Sequence, residues 1–376
     1  ALVPILLDEF EAEQPGFLAQ IGTLFHCKDW IRYNLTGELA TDYTEASRSF
    51  FNVVTGEGHD AQLAADLGLD SVLSTLPKIL AADESGGTVT PQAAERTGLP
   101  AGIPVSVGMI DVAITGPGLG AIKDGDSWLI LGTTGFIGTL LPSVAQRHSE
   151  LSMVLATGRG HQVLEFLPPM TGTPNLDWIR RTLAFADWDV AEAEARSVRP
   201  GSGGVVYLPY ASPGGERAPF LDPNASASWL GMSVSTTPAE ILRSVYEGVS
   251  FSLVECAEVL KITGDLVVSG GGFRSDLICE ILADTTGQRV VRQAAPEAGA
   301  RGAATLALVA CGEAADLETA AEMMVTSVSS YEPNPVNHEV YRKAYDVYRL
   351  SRDAIRPAWA AMREMRALSG AEEAAE

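Results

Sequence analysis

Residues 127–141, SWLILGTTGFIGTLL, place two short apolar runs on either side of Gly132-Thr133-Thr134-Gly135. Strand-forming runs split by a glycine-flanked turn predict a hairpin, Ser127–Leu131 with Phe136–Leu141. A second hairpin follows, Leu151–Ala156 with Gln162–Leu167, across Gly158-Arg159-Gly160. Helices and strands then alternate: helix Asn175–Ala184, strand Gly204–Leu208, helix Pro238–Ile262, strand Leu266–Ser269, helix Ser275–Thr286, strand Arg289–Arg292 and helix Gly299–Ala310. Antiparallel strands followed by alternating units predict an α/β fold, a mixed sheet flanked by helices.

The helix from Pro238 has the best-defined start. Thr237 is its cap, Pro238 occupies the first helical position and Glu240 completes a capping box. Its expected buried stripe is Ile241, Val245, Val249 and Leu253. Upstream, residues 1–100 read mostly as helices and loops, with helical spacing over Phe17–Leu24, Lys28–Leu35, Ala61–Leu67 and Pro91–Thr97. Pro104–Met109 is the first buried strand expected, and the Gly-rich connection Gly120–Asp126 is the predicted domain boundary, dividing 1–123 from 124–376. The C-terminal stretch Asn337–Leu368 reads as one long charged helix, with AEEAAE as a frayed tail.

A length of 376 residues suits two domains, and 46% hydrophobic with 20% charged residues is the balance of a globular protein. The formal charge of −22 argues against nucleic acid and anionic membrane surfaces as partners. The four cysteines are far apart with no CxxC pair, so buried reduced thiols in a cytoplasmic protein are expected. The opening ALVPILLDEFEAEQP has no basic region and reads as no signal peptide. It lacks an initiator Met and opens mid-pattern, so the expectation is a chain cut from a longer one. Five histidines show no ligand spacing, and no GK[ST] marks a Walker loop.

Three places have residue types suited to chemistry. Asp111, after the expected strand Pro104–Met109, could accept a proton at the mouth of a cleft. On the residues alone, a helix N-cap before VAIT is the stronger reading. Gly132, Thr133 and Thr134 could bring backbone N–H groups and hydroxyls to a phosphate, although such turns are common in ordinary hairpins. Gly270-Gly271-Gly272, between a strand and a helix start, would permit close approach by a nucleotide.

Six segments in order resemble the FGGY carbohydrate kinases: LTGELATDYTEASRSFFNV, VSVGMIDVAITGPGLG, LILGTTGF, PYASPGGERAPFLDP, the run Ala227–Glu247, and VVSGGGFRSDLICEILADTTGQRV. The resemblance implies two ribonuclease H-like, actin-like domains around a cleft, the first incomplete. It implies ATP-dependent phosphorylation of a ketopentose hydroxyl, xylulose or L-xylulose being nearest, with glycerol or erythritol as the alternative acceptor. A noncatalytic nucleotide-binding relative is the reading from another class. Asp111 becomes the catalytic base. Gly132, Thr133 and Thr134 become the phosphate turn, and Gly172, Asn175, Gly271, Gly272 and Phe273 nucleotide contacts. Asn175 reads equally as a helix cap, Phe136 as a substrate contact or as core, and Phe273 stands where the family often has a small residue. ATP and Mg²⁺ are the implied cofactors, with no metal ligand assigned in this chain, since the family's Mg²⁺-phosphate hairpin and most sugar contacts belong before Ala1. A sugar or polyol is the expected partner, without nucleic acid or membrane, and a homodimer is left open.

Overall fold

The computed structural model of the protein describes residues 2–293 and 297–369. Both hairpins form, and they open a seven-stranded sheet. Its strands are β1 (Ser127–Leu131), β2 (Gly135–Leu141), β3 (Met153–Ala156), β4 (Val163–Leu167), β5 (Leu266–Ser269), β6 (Val290–Gln293) and β7 (Ser327–Tyr331). Across the sheet the order is β7-β6-β5-β1-β2-β4-β3. β5 runs parallel to β1 and β6, and the remaining pairs are antiparallel. This is the mixed sheet that the sequence predicts.

The helices that carry or support the functional loops are α1 (Cys27–Thr36), α2 (Asp111–Leu119), α3 (Pro174–Thr182), α4 (Pro238–Val259), α5 (Asp276–Thr286), α6 (Ala298–Ala310) and α7 (Pro335–Ile355). Side chains alternate across a strand, so the sheet supplies two cores. Leu129, Leu131, Ile137 and Leu167 face α3, α4, α5 and α7, whereas Trp128, Phe136, Leu140 and Phe166 face α2 and α6. The predicted capping box on α4 is present, with Thr237 and Glu240 exchanging side-chain to backbone bonds. The helix is more deeply set than a single stripe. Leu242 through Ala257 are all buried, while Ile241, expected inside, is only half-buried.

Upstream of the sheet the structure is smaller-grained. Ala40–Asp42 pairs in parallel with Lys78–Leu80, and Ser85–Thr88 pairs antiparallel with Pro104–Ser106. The strand expected to reach Met109 therefore ends at Ser106 and is not buried. Gly108, at φ 79°, turns the chain there. Phe17–Leu24 contains one 3₁₀ turn, Leu18–Gln20, in place of a helix. The C-terminal helix is interrupted near Pro357, after α7, and resumes at Trp359–Leu368. A ring at Pro357 removes a helical N–H, which accounts for the break. The AEEAAE tail lies outside the described residues. All four cysteines are free, but Cys27 and Cys311 are exposed instead of buried.

Candidate active site

Three loops meet at one end of the sheet. The β1–β2 turn closes with the Gly132 amide donating to the Thr134 carbonyl at 3.1 Å. The Thr173 amide donates to the Gly132 carbonyl at 2.8 Å, laying residues 172–173 on that turn. A Cβ at Gly172 would stand 2.1 Å from the Thr133 carbonyl oxygen, so only glycine permits this approach. The third loop follows β5, and a Cβ at Gly272 would lie 2.5 Å from the Leu131 side chain and 3.0 Å from that of Thr173. Beside these loops opens a cleft of about 690 Å³, lined by Thr173, Leu176, Trp188, Tyr246, Gly271 and Gly272. Its size and mixed apolar and polar walls suit a nucleotide. A neighbouring cavity of about 570 Å³ is lined by Thr133, Thr134, Asn175 and Ser212.

The single residues sort differently from one another. Thr133 is exposed and its hydroxyl has no protein partner among the described residues, which leaves it free for a ligand. Asn175 is not a cap, because Thr173 occupies that position. It is 4% exposed, donates to the Gly172 carbonyl at 3.2 Å and accepts from the Tyr207 hydroxyl at 2.7 Å. Its side chain thus holds the loop from behind. The Phe273 ring is buried in the core, so its main chain alone can face a nucleotide. Phe136 is likewise core, at ring distances of 5.7 Å from Trp128 and 5.4 Å from Phe166. Glu216, within the PYASPGGERAPFLDP segment but given no role from the sequence, is buried and accepts from the backbone of Met170 (2.6 Å) and Arg217 (2.9 Å) and from the Thr171 hydroxyl (3.0 Å). Burial pushes its carboxyl above the usual range, against the pull of these bonds, which fix the strand end before Gly172.

Asp111 is the first residue of α2 and is exposed, with the N-cap position taken by Ile110. Its Oδ1 accepts from the Val112 amide at 2.8 Å. The middle of α2 rests on β1: the Trp128 indole N–H donates to the Thr115 hydroxyl at 2.9 Å. The short connection Gly120–Asp126 returns the end of α2 to the start of β1, so the two run in opposite directions. The first residue of α2 therefore points toward the end of the sheet where the Gly132–Gly135 turn stands.

Before Asp111 the chain meets a buried charged network that the sequence did not reveal. The Lys28 ammonium lies 2.7 Å from Asp29 Oδ1 and 2.9 Å from Asp42 Oδ1, and donates to the Val107 carbonyl at 3.3 Å. Asp29 also accepts from the Thr41 hydroxyl at 2.7 Å. Asp42 accepts from the Thr44 amide at 2.7 Å and from the Thr44 hydroxyl, capping the short helix Tyr43–Ala46. The Thr44 oxygen in turn accepts from the Ile110 amide at 2.9 Å. Asp29, Asp42 and Thr44 are essentially inaccessible to water.

Glu45 sits at the margin of this network, 3.3 Å from His26 Nδ1. Burial, then the neighbouring Asp42 charge, pushes its carboxyl up to about 7, while burial lowers the His26 imidazole. A raised folded-state value means that the folded protein binds the proton more tightly. Stability contributed by this group is present at acid pH and declines as pH rises from the ordinary carboxyl range toward 7. Glu45→Gln, which cannot ionise, should match the wild-type melting temperature near pH 4.5 and exceed it at pH 8. A melting difference that stays constant between those values would refute the assignment.

Sequence comparison decides what this arrangement belongs to. Residues 6–118 match the N-terminal domain, and residues 128–311 the C-terminal domain, of the FGGY family of carbohydrate kinases. The erythritol kinase of Brucella abortus is 32% identical over 95% of this chain and 70% of its own length. The chain belongs to the FGGY carbohydrate kinases. Among other relatives, the probable L-xylulose kinase of Pasteurella multocida is 29% identical over 91% of this chain and 70% of that protein. The ligand-bound xylulose kinase from Lactobacillus acidophilus superposes with a TM-score of 0.85 at 25% identity, covering 96% of this chain and 73% of that one. An FGGY kinase transfers a phosphoryl group from ATP to a carbohydrate hydroxyl, so the cleft beside the glycine loops belongs to an ATP-dependent kinase. Among the described residues no helix is long and apolar enough to cross a membrane.

Proposed function

We propose that this FGGY kinase phosphorylates a ketopentose of the xylulose type in the cytoplasm, with Asp111 as catalytic base and the Gly132–Gly135 turn as phosphate cradle. The observation that supports this reading most is spatial: an exposed carboxylate and three glycine-bearing loops share one end of the sheet. The Asp111 carboxylate takes the proton of the acceptor hydroxyl as its oxygen attacks the γ-phosphorus. The new O–P bond forms while the bond to the β-phosphate oxygen breaks, and ADP leaves. Gly132, Thr133, Gly172, Gly271 and Gly272 orient the nucleotide through close main-chain approach, with Asn175 and Glu216 fixing the loops. Among the described residues no group of three or more His, Cys, Asp or Glu could hold a metal ion. The metal of this reading is a Mg²⁺ carried on the ATP phosphates. For the domain division we propose the Gly120–Asp126 connection, since the seven-stranded sheet begins just beyond it.

A second acceptor class competes with the first, because the 32% identical relative acts on erythritol by its name. A panel of D-xylulose, L-xylulose, erythritol, glycerol and gluconate with ATP consumption as readout separates the two. Highest kcat/KM on a pentulose is expected, and preference for the tetritol would overturn the ketopentose assignment.

The phosphate turn gives a narrower test. Thr133→Val keeps the shape of an exposed turn residue and removes only the hydroxyl. The kcat should fall by about tenfold or more, the worth of one lost transition-state donor being of that order or larger, with the melting temperature unchanged. A variant that loses stability but retains full turnover per folded molecule would make Thr133 structural.

A further inference from the structure

We infer that Thr44 is a positioning residue for the reaction, acting through the Ile110 amide to fix Asp111, with the Lys28–Asp42 pair holding Thr44 in turn. The inference rests on the reading of Asp111 as the base. Its grounds are the bonds that converge on residues 107–110, the four residues directly before that carboxylate.

Thr44 has no local need for its hydroxyl. The helix Tyr43–Ala46 is already capped by the Asp42 carboxylate, which accepts from the Thr44 amide. The hydroxyl instead donates its proton to Asp42 Oδ2, and its oxygen lone pair receives the Ile110 N–H, a partner 66 residues away. Ile110 is the N-cap residue of α2 and no side chain caps that helix. The Thr44 bond therefore fixes the residue that sets where α2, and so Asp111, begins. Three residues earlier, Lys28 seizes the Val107 carbonyl. Lys28 also donates to Asp29 and forms an ion pair with Asp42 at 2.9 Å. Asp42 is the shared member: one oxygen meets Lys28, the other orients the Thr44 hydroxyl. The segment is thus gripped at both ends, by a partly exposed Lys28 and by Asp42 and Thr44, which are shut off from water, and exclusion of water strengthens the bonds between those two.

Such a grip has a catalytic meaning distinct from stability. A base works only at hydrogen-bond distance from the hydroxyl it serves, and an error near 1 Å can cost about a hundredfold in rate. Loss of the Ile110 tether should loosen Asp111 without touching the nucleotide loops. The expected signature is a fall in kcat with little change in the KM for ATP.

The test compares Thr44→Val, Thr44→Ala, Thr44→Ser and Asp111→Asn on the sugar or polyol the wild-type enzyme accepts. Thr44→Val is expected to lower kcat by about tenfold or more, keep the KM for ATP within about twofold, and speed amide exchange over residues 107–112. Thr44→Ser, which restores the hydroxyl, should return both kcat and exchange to near the wild-type values. Thr44→Ala removes the hydroxyl without adding bulk, and stands in should the valine fail to fold. Wild-type kcat in a folded valine or alanine variant would overturn the proposal. So would a serine variant as impaired as the valine, or a loss of activity that merely tracks the unfolded fraction. Asp111→Asn keeps the two ideas apart: high activity there overturns the base assignment itself, whereas an inactive Asp111→Asn beside an unaffected Thr44→Val overturns only the tether.

Discussion

Replacing Asp111 with asparagine should reduce sugar-stimulated ATP consumption by a hundredfold or more, within the range of about 10²–10⁴ that a positioned base contributes. The amide keeps the size and the hydrogen-bond acceptor that meets the Val112 amide, and it removes only the capacity to take a proton. Because the side chain is exposed and makes no other contact among the described residues, the melting temperature should stay within a degree or two. ATP binding, measured by calorimetry, should also be unchanged, since the glycine loops belong to other segments. A variant retaining more than about a tenth of kcat would remove Asp111 from the chemistry and leave it as a turn residue at the start of α2.

The second large effect concerns how α2 is seated. It crosses α6 at two glycines: a Cβ at Gly118 would stand 1.9 Å from the Ala298 carbonyl oxygen, and one at Gly302 the same distance from the Ile114 carbonyl oxygen. Two effects of opposite sign compete on substitution. Alanine favours a helix over glycine by about 1 kcal/mol. Against that, the obstruction is rigid main chain and cannot be relieved by rotating a side chain. Overpacking of this kind costs about 1–3 kcal/mol even where side chains can shift. The clash should win. Gly302→Ala is expected to lower the melting temperature by several degrees, and Gly302→Val by more, with turnover falling because α2 carries Asp111. Gly299→Ala, three residues earlier in the same helix, is the control: its Cβ would meet only the Ile114 side chain at an ordinary 3.8 Å, and stability should hold or rise. A neutral Gly302→Ala would mean that the helices can separate freely.

Much of the sheet was legible because its signals are local. The run 127–141 alternates about a turn that needs glycine, and the helix after Thr237 announces its own cap. Elements between Ala184 and Gly204 and between Ala310 and Asn337 escaped, for a physical reason. The helix Trp188–Ser197 buries only Ala191 and Ala195, so it shows almost no apolar period. The strand Ser327–Tyr331 is a serine-rich edge whose place is set by pairing with β6. Near the site, Thr133 and the glycine loops could be read from composition and resemblance. Lys28, Asp42 and Thr44 could not, because their meaning lies in bonds to residues some sixty to eighty positions downstream. At Phe273 the sequence did not distinguish ring from main chain, and the ring is turned into the core.

The glycine crossing of α2 and α6 also determines what can move. On one side, Asp111 belongs to a helix locked by main-chain contact to α6, which packs on the larger sheet. On the other, the residues just before it are bonded to Lys28 and Thr44 in the smaller half of the chain. The same smaller half is also tied to the sheet elsewhere, where the Ala156 amide donates to the Ser47 hydroxyl at 3.0 Å and Tyr43 lies against Gly158. The segment leading into Asp111 is therefore anchored from both directions, and displacing it means breaking contacts to both at once. With Asp111 as the proposed base, the proton acceptor is the part of the site least able to shift, and the reactants have to be brought to it.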